Sequence, residues 1–332
     1  MRHRAPARTI GRVIHREELR FRAGDASLAA TLTLPDADGR RPWALLVPSW
    51  LPRNRYGGWD RERHAAWFAP SARDEGGGLL ARLADALAER GVASLRYDPR
   101  GCGASDGSWE RSAFFTRIDD ARDAIGAMRS RPELDLRRTA IVGHGEGAGI
   151  ALSVAIGDPA IGAVGLIGAS ARSLRTVLRR GVAERARTGA DRHHPAVAAL
   201  DRASEELLER AERREPSLDL AIGDETVTLD LASWEQAIHT PPLALATMLH
   251  RETLLLHGAD DAWADPAESE LLAAVLAAAG NAPERTVTPG GHDLAEVPDA
   301  VIGDFAAGLL TRMRPRELPP VLQAIEEMGG SG

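Results

Sequence analysis

The sequence predicts an α/β fold, in which a mostly parallel central sheet carries helices on both faces and a helical insertion interrupts the alternation. Three observations point there. The strand-like segments, "WALLVP", "VASLRYD", "RTAIVG", "IGAVGLIG" and "TLLLHG", are short continuous apolar runs instead of alternating ones, the pattern of strands covered on both faces. Segments of helical periodicity separate them, the order that parallel crossovers require. Glycine-rich turns follow several of the runs, where parallel sheets place their sites.

Taken in order, Leu19 to Leu34 alternate apolar and polar residues around a Gly-Asp turn and predict a hairpin. "WALLVP" is the first buried strand, followed by a long loop from Ser49 to Gly78, a length that usually signals function. Leu79, Leu80, Leu83, Ala84 and Leu87 fall at helical spacing, and Gly91 stands where a helix stop belongs. "VASLRYD" leads into the turn "PRGCGASDG", then a helix over about 115–129 ended by Pro132. "RTAIVG", a helix over 146–156 and "IGAVGLIG" continue the alternation. Residues 171–245 change texture, rich in Arg, Glu and Ala, with Val197, Leu200, Leu207, Leu208 and Ala211 at roughly helical spacing and no buried strand before "TLLLHG". The paired prolines of "HTPPLALA" close this insertion. A helix over 266–279, a strand at "ERTVTP" and a last helix over 298–313 complete the pattern. The division expected is a basic N-terminal arm over 1–16, a core over 17–170 and 246–314, a helical lid or cap over 171–245 and a tail over 315–332.

Bulk properties narrow the function. The chain has 332 residues, 44% of them apolar, and a net charge of -7, a balance unsuited to neutralising phosphate or an anionic membrane, so nucleic acid is not expected as a partner. No apolar run has the length of a membrane span. Cys102 is the single cysteine, which excludes an intramolecular disulfide and fits a cytoplasmic location. His193 and His194 in "RHH" are adjacent and do not share a helix face, so neither a metal nor another cofactor is expected. Oligomeric state is left open.

Four motifs fall at strand ends: "YDPRGCGASDG" at 97–107, "GHGEG" at 143–147, "HGADDAW" at 257–263 and "GGHDL" at 290–294. With them the chain resembles the α/β-hydrolase family, in particular its bacterial esterase and acyl-peptidase-like members, over nearly all of residues 17–314. The resemblance implies Asp261 as the acid, with Asp260 ranked second, and His292 as the general base, in the family's chain order of nucleophile, acid and histidine. The carboxylate is needed to fix the imidazole tautomer and to stabilise the imidazolium.

Two departures stand out. Gly145 occupies the position of the nucleophilic serine, and "VPSWLPRNR" replaces the family's His-Gly pair on the oxyanion loop, with Pro48 unable to supply an N–H. The resemblance leaves Glu146, through its N–H, with Ser49 and Trp50 as the oxyanion-loop residues. Among the groups considered as attackers in place of the missing serine, Ser105 and Cys102 read as turn residues and Ser170 lies near a strand end. Ser49 faces the elbow from the oxyanion loop. Six of the seven tryptophans fall in loops or the insertion, and Trp234 and Trp263 are the expected substrate contacts, suited to a small apolar or acyl-containing molecule. Three functions are compatible with this pattern: an esterase-derived protein with little or no hydrolysis that performs acid/base chemistry, a serine hydrolase inactivated by replacement of its nucleophile with glycine, and a non-catalytic binding pseudoenzyme.

Overall fold

A computed structural model describes residues 14–67, 78–189 and 195–329. Most of the basic arm, the Gly76–Gly77 part of the long loop, His193 and His194, and the last residues of the tail lie outside them.

The N-terminal hairpin is β1 (Ile14–Ala23) and β2 (Ala26–Pro35), turning through Gly24 at φ 55°. It begins inside the segment read as an arm, because Ile14 to Leu19 pair with Ala30 to Pro35. The other strands of the main sheet are β3 (Arg41–Val47), β4 (Ala93–Tyr97), β5 (Leu134–His144), β6 (Ile161–Ile167), β9 (Glu252–Gly258) and β10 (Glu284–Thr288). They form an eight-stranded sheet in the order β1-β2-β4-β3-β5-β6-β9-β10, antiparallel only where β2 meets β1 and β4.

Side chains alternate between two cores, as the two-residue period of a strand dictates. On β3, β5 and β9, Leu45, Ile141 and Leu255 face one side with Leu152, Leu272 and Leu276. Leu46, Val142, Leu254 and Leu256 face the other with Leu83, Phe305 and Leu309. The first layer belongs to α2 (Phe114–Met128), α3 (Glu146–Gly157) and α8 (Pro266–Ala278), the second to α1 (Leu79–Glu89) and α9 (Asp299–Arg312).

The segment between β6 and β9 departs from the all-helical expectation. It holds α4 (Leu174–Thr188), α5 (Pro195–Glu212), α6 (Ala232–His239) and α7 (Pro242–Ala246), but also an antiparallel hairpin of β7 (Ser217–Ile222) and β8 (Glu225–Asp230). The reason is local: "SLDLAI" alternates, burying Leu218, Leu220 and Ile222, and Gly223 turns the chain at φ 60°. A third core joins this segment to the long loop and the 102–109 turn, through Trp59, Trp67, Trp109, Leu207, Leu229 and Trp234. The tail also departs from expectation: it forms α10 (Pro320–Gly329), and Leu322 on this helix and Leu318 just before it pack with Leu136 and Ala160.

Candidate active site

The site is built where β3, β5, β9 and β10 end. After β5, Gly145 adopts φ 57°, ψ -120°, a conformation that glycine takes without a Cβ penalty. Its neighbours are glycines for space: a Cβ on Gly143 would meet the Gly147 carbonyl oxygen at 2.0 Å, and one on Gly147 would meet the Pro48 oxygen at 2.5 Å. The sharp strand-to-helix turn is therefore complete. Glu146, the first residue of α3, has no intramolecular acceptor for its N–H among the described residues, as a helix start requires. Its carboxyl pairs with Arg117, which also reaches Ser233 on α6. Burial raises the Glu146 pKa against the opposing Arg117 charge.

After β9 and β10, the acid and base come together. His292 Nδ1 donates to Asp261 Oδ2 at 2.8 Å. Asp261 is buried, its Oδ1 accepting the N–H groups of Trp263 at 2.8 Å and Ala264 at 2.9 Å. Burial works against its charge, yet His292 and His257 hold the carboxyl well below the usual carboxylate range. His257 was not singled out from sequence as a separate site residue; its Nε2 lies 3.4 Å from Asp261 Oδ2 and 2.8 Å from the Ala264 oxygen. For His292, burial opposes protonation, but the Asp261 charge and hydrogen bond outweigh it and raise the imidazole pKa. Asp260, the second-ranked acid, instead accepts the Gly290 N–H at 3.2 Å and braces the histidine loop.

Two further partners steady His292. The His144 ring lies 4.7 Å from it, centroid to centroid, and donates from Nε2 to the His292 carbonyl at 2.9 Å. Burial, reinforced by His292, pushes the His144 pKa down to about 3, so this ring is neutral. Asp293 pairs with Arg53 at 2.7 Å, and Arg53 lies fully within the fold, 3.9 Å over the Trp59 ring. Neither residue stood out in the sequence; the only signal was a basic residue in the long loop and an acidic one after His292.

The hydroxyl and thiol candidates separate clearly. Ser105 is buried, donating to the Asp98 carbonyl and accepting from Ala29 N–H, both of which hold a turn. Cys102 is buried and its thiol pKa is pushed up by desolvation, leaving it unreactive. Ser170 lines the cleft without a hydrogen bond to His292. Ser49 is in contact: its Oγ stands 3.2 Å from His292 Nε2.

Ser49, Gly145, Glu146 and His292 open on a cleft that is continuous with solvent. Its walls are largely apolar, including Trp50, Phe114, Leu174, Trp234 and Trp263. The Trp50 and Trp234 rings meet edge-on at 4.7 Å, and Arg185 lies 4.1 Å over Trp263. Trp50, Trp234 and Trp263 thus reach the cleft, while Trp59, Trp67 and Trp109 pack the third core.

Among the described residues, two groups of side chains are close enough to share a cation: Asp60, His64 and Cys102, and His144, His292 and Asp293. In the first, His64 approaches the Gly101 carbonyl through Nε2 at 2.9 Å and Glu110 through Nδ1 at 3.3 Å, so both ring nitrogens act as donors. In the second, the His144 nitrogen nearest Asp293 is the one donating to the His292 carbonyl. A nitrogen that donates has no lone pair for a metal.

The profile of the serine aminopeptidase S33 family matches residues 72–294. Est1E from Butyrivibrio proteoclasticus, solved with ferulic acid bound, is similar at a TM-score of 0.61 and 15% identity, over 89% of this chain and 99% of that one. An esterase from Pyrococcus furiosus gives 0.61 and 15%, over 91% and 92%. The acylaminoacyl peptidase of Pyrococcus horikoshii gives 0.59 and 14%, over 94% of this chain but 44% of that one. No curated protein sequence matches the chain. The fold is the α/β-hydrolase fold. No helix of the described residues is long and apolar enough to cross a membrane.

Proposed function

This chain belongs to the serine aminopeptidase S33 family, and on that premise we propose that it hydrolyses carboxylic acyl bonds, esters above all, in small substrates with an apolar or aromatic part. One observation carries the reading: His292 is braced by Asp261 at 2.8 Å and opens on the apolar cleft beside the uncommitted N–H of Glu146. Its Nδ1–H is fixed on the carboxylate, so Nε2 is the free base that takes the proton of an attacking oxygen. The Glu146 N–H, at the positive end of α3, accepts the charge that develops on the carbonyl oxygen. Trp234 and Trp263 supply the contact area for the acyl or alcohol group, and the segment over 171–245 acts as the cap that shapes it. The cytoplasm is the location consistent with a single buried thiol.

Proton abstraction from a carbon acid, with no hydrolysis, is the second reading, favoured by the absence of a side chain at Gly145. A binding pseudoenzyme gains less support, since a relic would not need a buried carboxylate, two N–H donors to it and a neutral His144 holding the base in register. The test is hydrolysis of p-nitrophenyl acetate, butyrate and benzoate by the parent and by His292→Ala. Turnover that the substitution lowers by roughly 10³-fold supports the reading; a parent no faster than buffer overturns it.

A further inference from the structure

Resting on the reading of this site as an acyl hydrolase, we infer that Ser49, on the loop after β3, is the nucleophile, transposed from the elbow to the strand beside it. The geometry is reciprocal. An ideal Cβ placed on Gly145 would stand 2.0 Å from Ser49 Oγ, 3.0 Å from Ser49 Cβ and 2.8 Å from His292 Nε2. The hydroxyl of Ser49 therefore fills the space that a side chain at the elbow would enter, and it meets the same nitrogen of the same base. Gly145 is the condition for this arrangement, since any Cβ there would displace the hydroxyl.

The chain Ser49 Oγ, His292 Nε2, His292 Nδ1, Asp261 Oδ2 has separations of 3.2 Å and 2.8 Å, the connectivity of an activated hydroxyl. The loop that carries Ser49 is held against relaxation. Leu51 is a non-glycine residue at φ 70°, a strained backbone next to the site. Arg53 fixes the loop from inside, donating to the Gly57 carbonyl at 2.9 Å and pairing with Asp293 beside the base. The N–H groups of Trp50 and Leu51 have no intramolecular acceptor among the described residues, and both residues line the cleft. With Glu146 N–H they provide donors around the attacked carbonyl, which answers the loss of an N–H at Pro48.

In the reaction, Ser49 Oγ adds to the acyl carbonyl carbon while its proton passes to His292 Nε2. The carbon–oxygen bond to the alcohol breaks as His292 returns that proton to the leaving oxygen, giving acyl-Ser49 and the alcohol. Water then adds to the acyl carbon, losing a proton to His292. The bond to Ser49 Oγ breaks, Oγ recovers the proton, and the carboxylic acid leaves.

The experiment treats the full chain with a fluorophosphonate probe and maps the adduct by peptide mass spectrometry, alongside p-nitrophenyl ester hydrolysis. Phosphonylation at Ser49, abolished in Ser49→Ala together with a drop of roughly 10³-fold or more in kcat, is the expected result. Because Ser49→Ala also removes a contact, a double variant, Ser49→Ala with Gly145→Ser, is measured in parallel. Its adduct should move to position 145 with part of the turnover restored. Hydrolysis that depends on His292 but persists in Ser49→Ala, with no adduct at Ser49, overturns the transposed nucleophile and leaves the hydrolase reading standing. An adduct at Ser49 in a parent that hydrolyses none of the esters upholds the nucleophile and overturns the ester assignment.

Discussion

A side chain at position 145 and the Ser49 hydroxyl exclude each other: a Cβ on Gly145 would lie 2.0 Å from Ser49 Oγ. Gly145→Ala should therefore be damaging in a site that has no serine at the elbow to lose. The new Cβ must also adopt φ 57°, ψ -120°, so strain and overpacking add, at about 2–4 kcal/mol together. Differential scanning fluorimetry should show a melting temperature lower by several degrees. In a Ser49→Gly background the same change should cost measurably less, because the clash partner is gone. Equal costs in both backgrounds would mean that the two residues do not compete for one space.

The charge state of the dyad sets the acid limb of activity. His292 has its pKa raised above the ordinary 6.5, so the neutral base accumulates only above that value, and kcat/KM should rise with pH through a point higher than 6.5. Stability runs the other way. The pair's contribution through His292 is full below 6.5 and lost as pH rises through the raised value. Through Asp261, whose pKa is lowered, it is full above 3.8 and lost as pH falls through the lowered value. In Asp261→Asn, which removes the charge that raises His292, the acid limb should move to lower pH while kcat falls by about 10⁴-fold. A pH–rate profile of that variant with an unmoved limb would separate His292 from the catalytic titration.

Fold and base were legible because their signals are local. Apolar runs mark the strands, Gly143, Gly145 and Gly147 mark the turn, and Asp261 and His292 follow strands at the expected ends. The hairpin of β7 and β8 was equally local, an alternating "SLDLAI" with a Gly-Asp turn, and was masked by the helical composition around it. Ser49 was different. It meets a histidine 243 positions away, and its approach depends on the backbone at Leu51 and on the burial of Arg53, neither of which leaves a periodic trace. A glycine at an elbow reads as a loss until the residue filling its space is known.

Trp234 tests the cleft as a binding surface. It is buried on α6, meets Trp50 edge-on at 4.7 Å and lines the cleft wall. Trp234→Ala should raise KM for p-nitrophenyl benzoate by roughly tenfold, the scale of about 1.4 kcal/mol in lost aromatic contact, while KM for the acetate moves little. Parallel losses in kcat for both esters would assign Trp234 to packing of the 171–245 segment instead of to substrate.

Arg53 and Asp293 link the loop bearing Ser49 to the loop bearing His292, at 2.7 Å and out of contact with most solvent. Arg53 has three further attachments: the Gly57 carbonyl, the Trp50 carbonyl at 3.3 Å and the Trp59 ring. Burial works against the Asp293 charge, but the guanidinium outweighs it and holds the carboxyl below its ordinary range. Removing one member strands the other charge, so Asp293→Asn should destabilise the fold by about 3 kcal/mol. Its catalytic effect should be larger than its distance from the reacting atoms suggests, because the separation of Ser49 Oγ from His292 Nε2 is set by how these loops are held. Arg53 borders the cleft with its guanidinium committed to Asp293; acting by position, it should leave KM little changed on substitution, and Arg53→Lys should retain more of kcat than Arg53→Met. The lysine keeps the charge opposite Asp293 but gives up the planar contact with Trp59 and the second hydrogen bond. Full activity in Arg53→Met, with a lowered melting temperature alone, would confine this pair to stability and detach it from the register of the site.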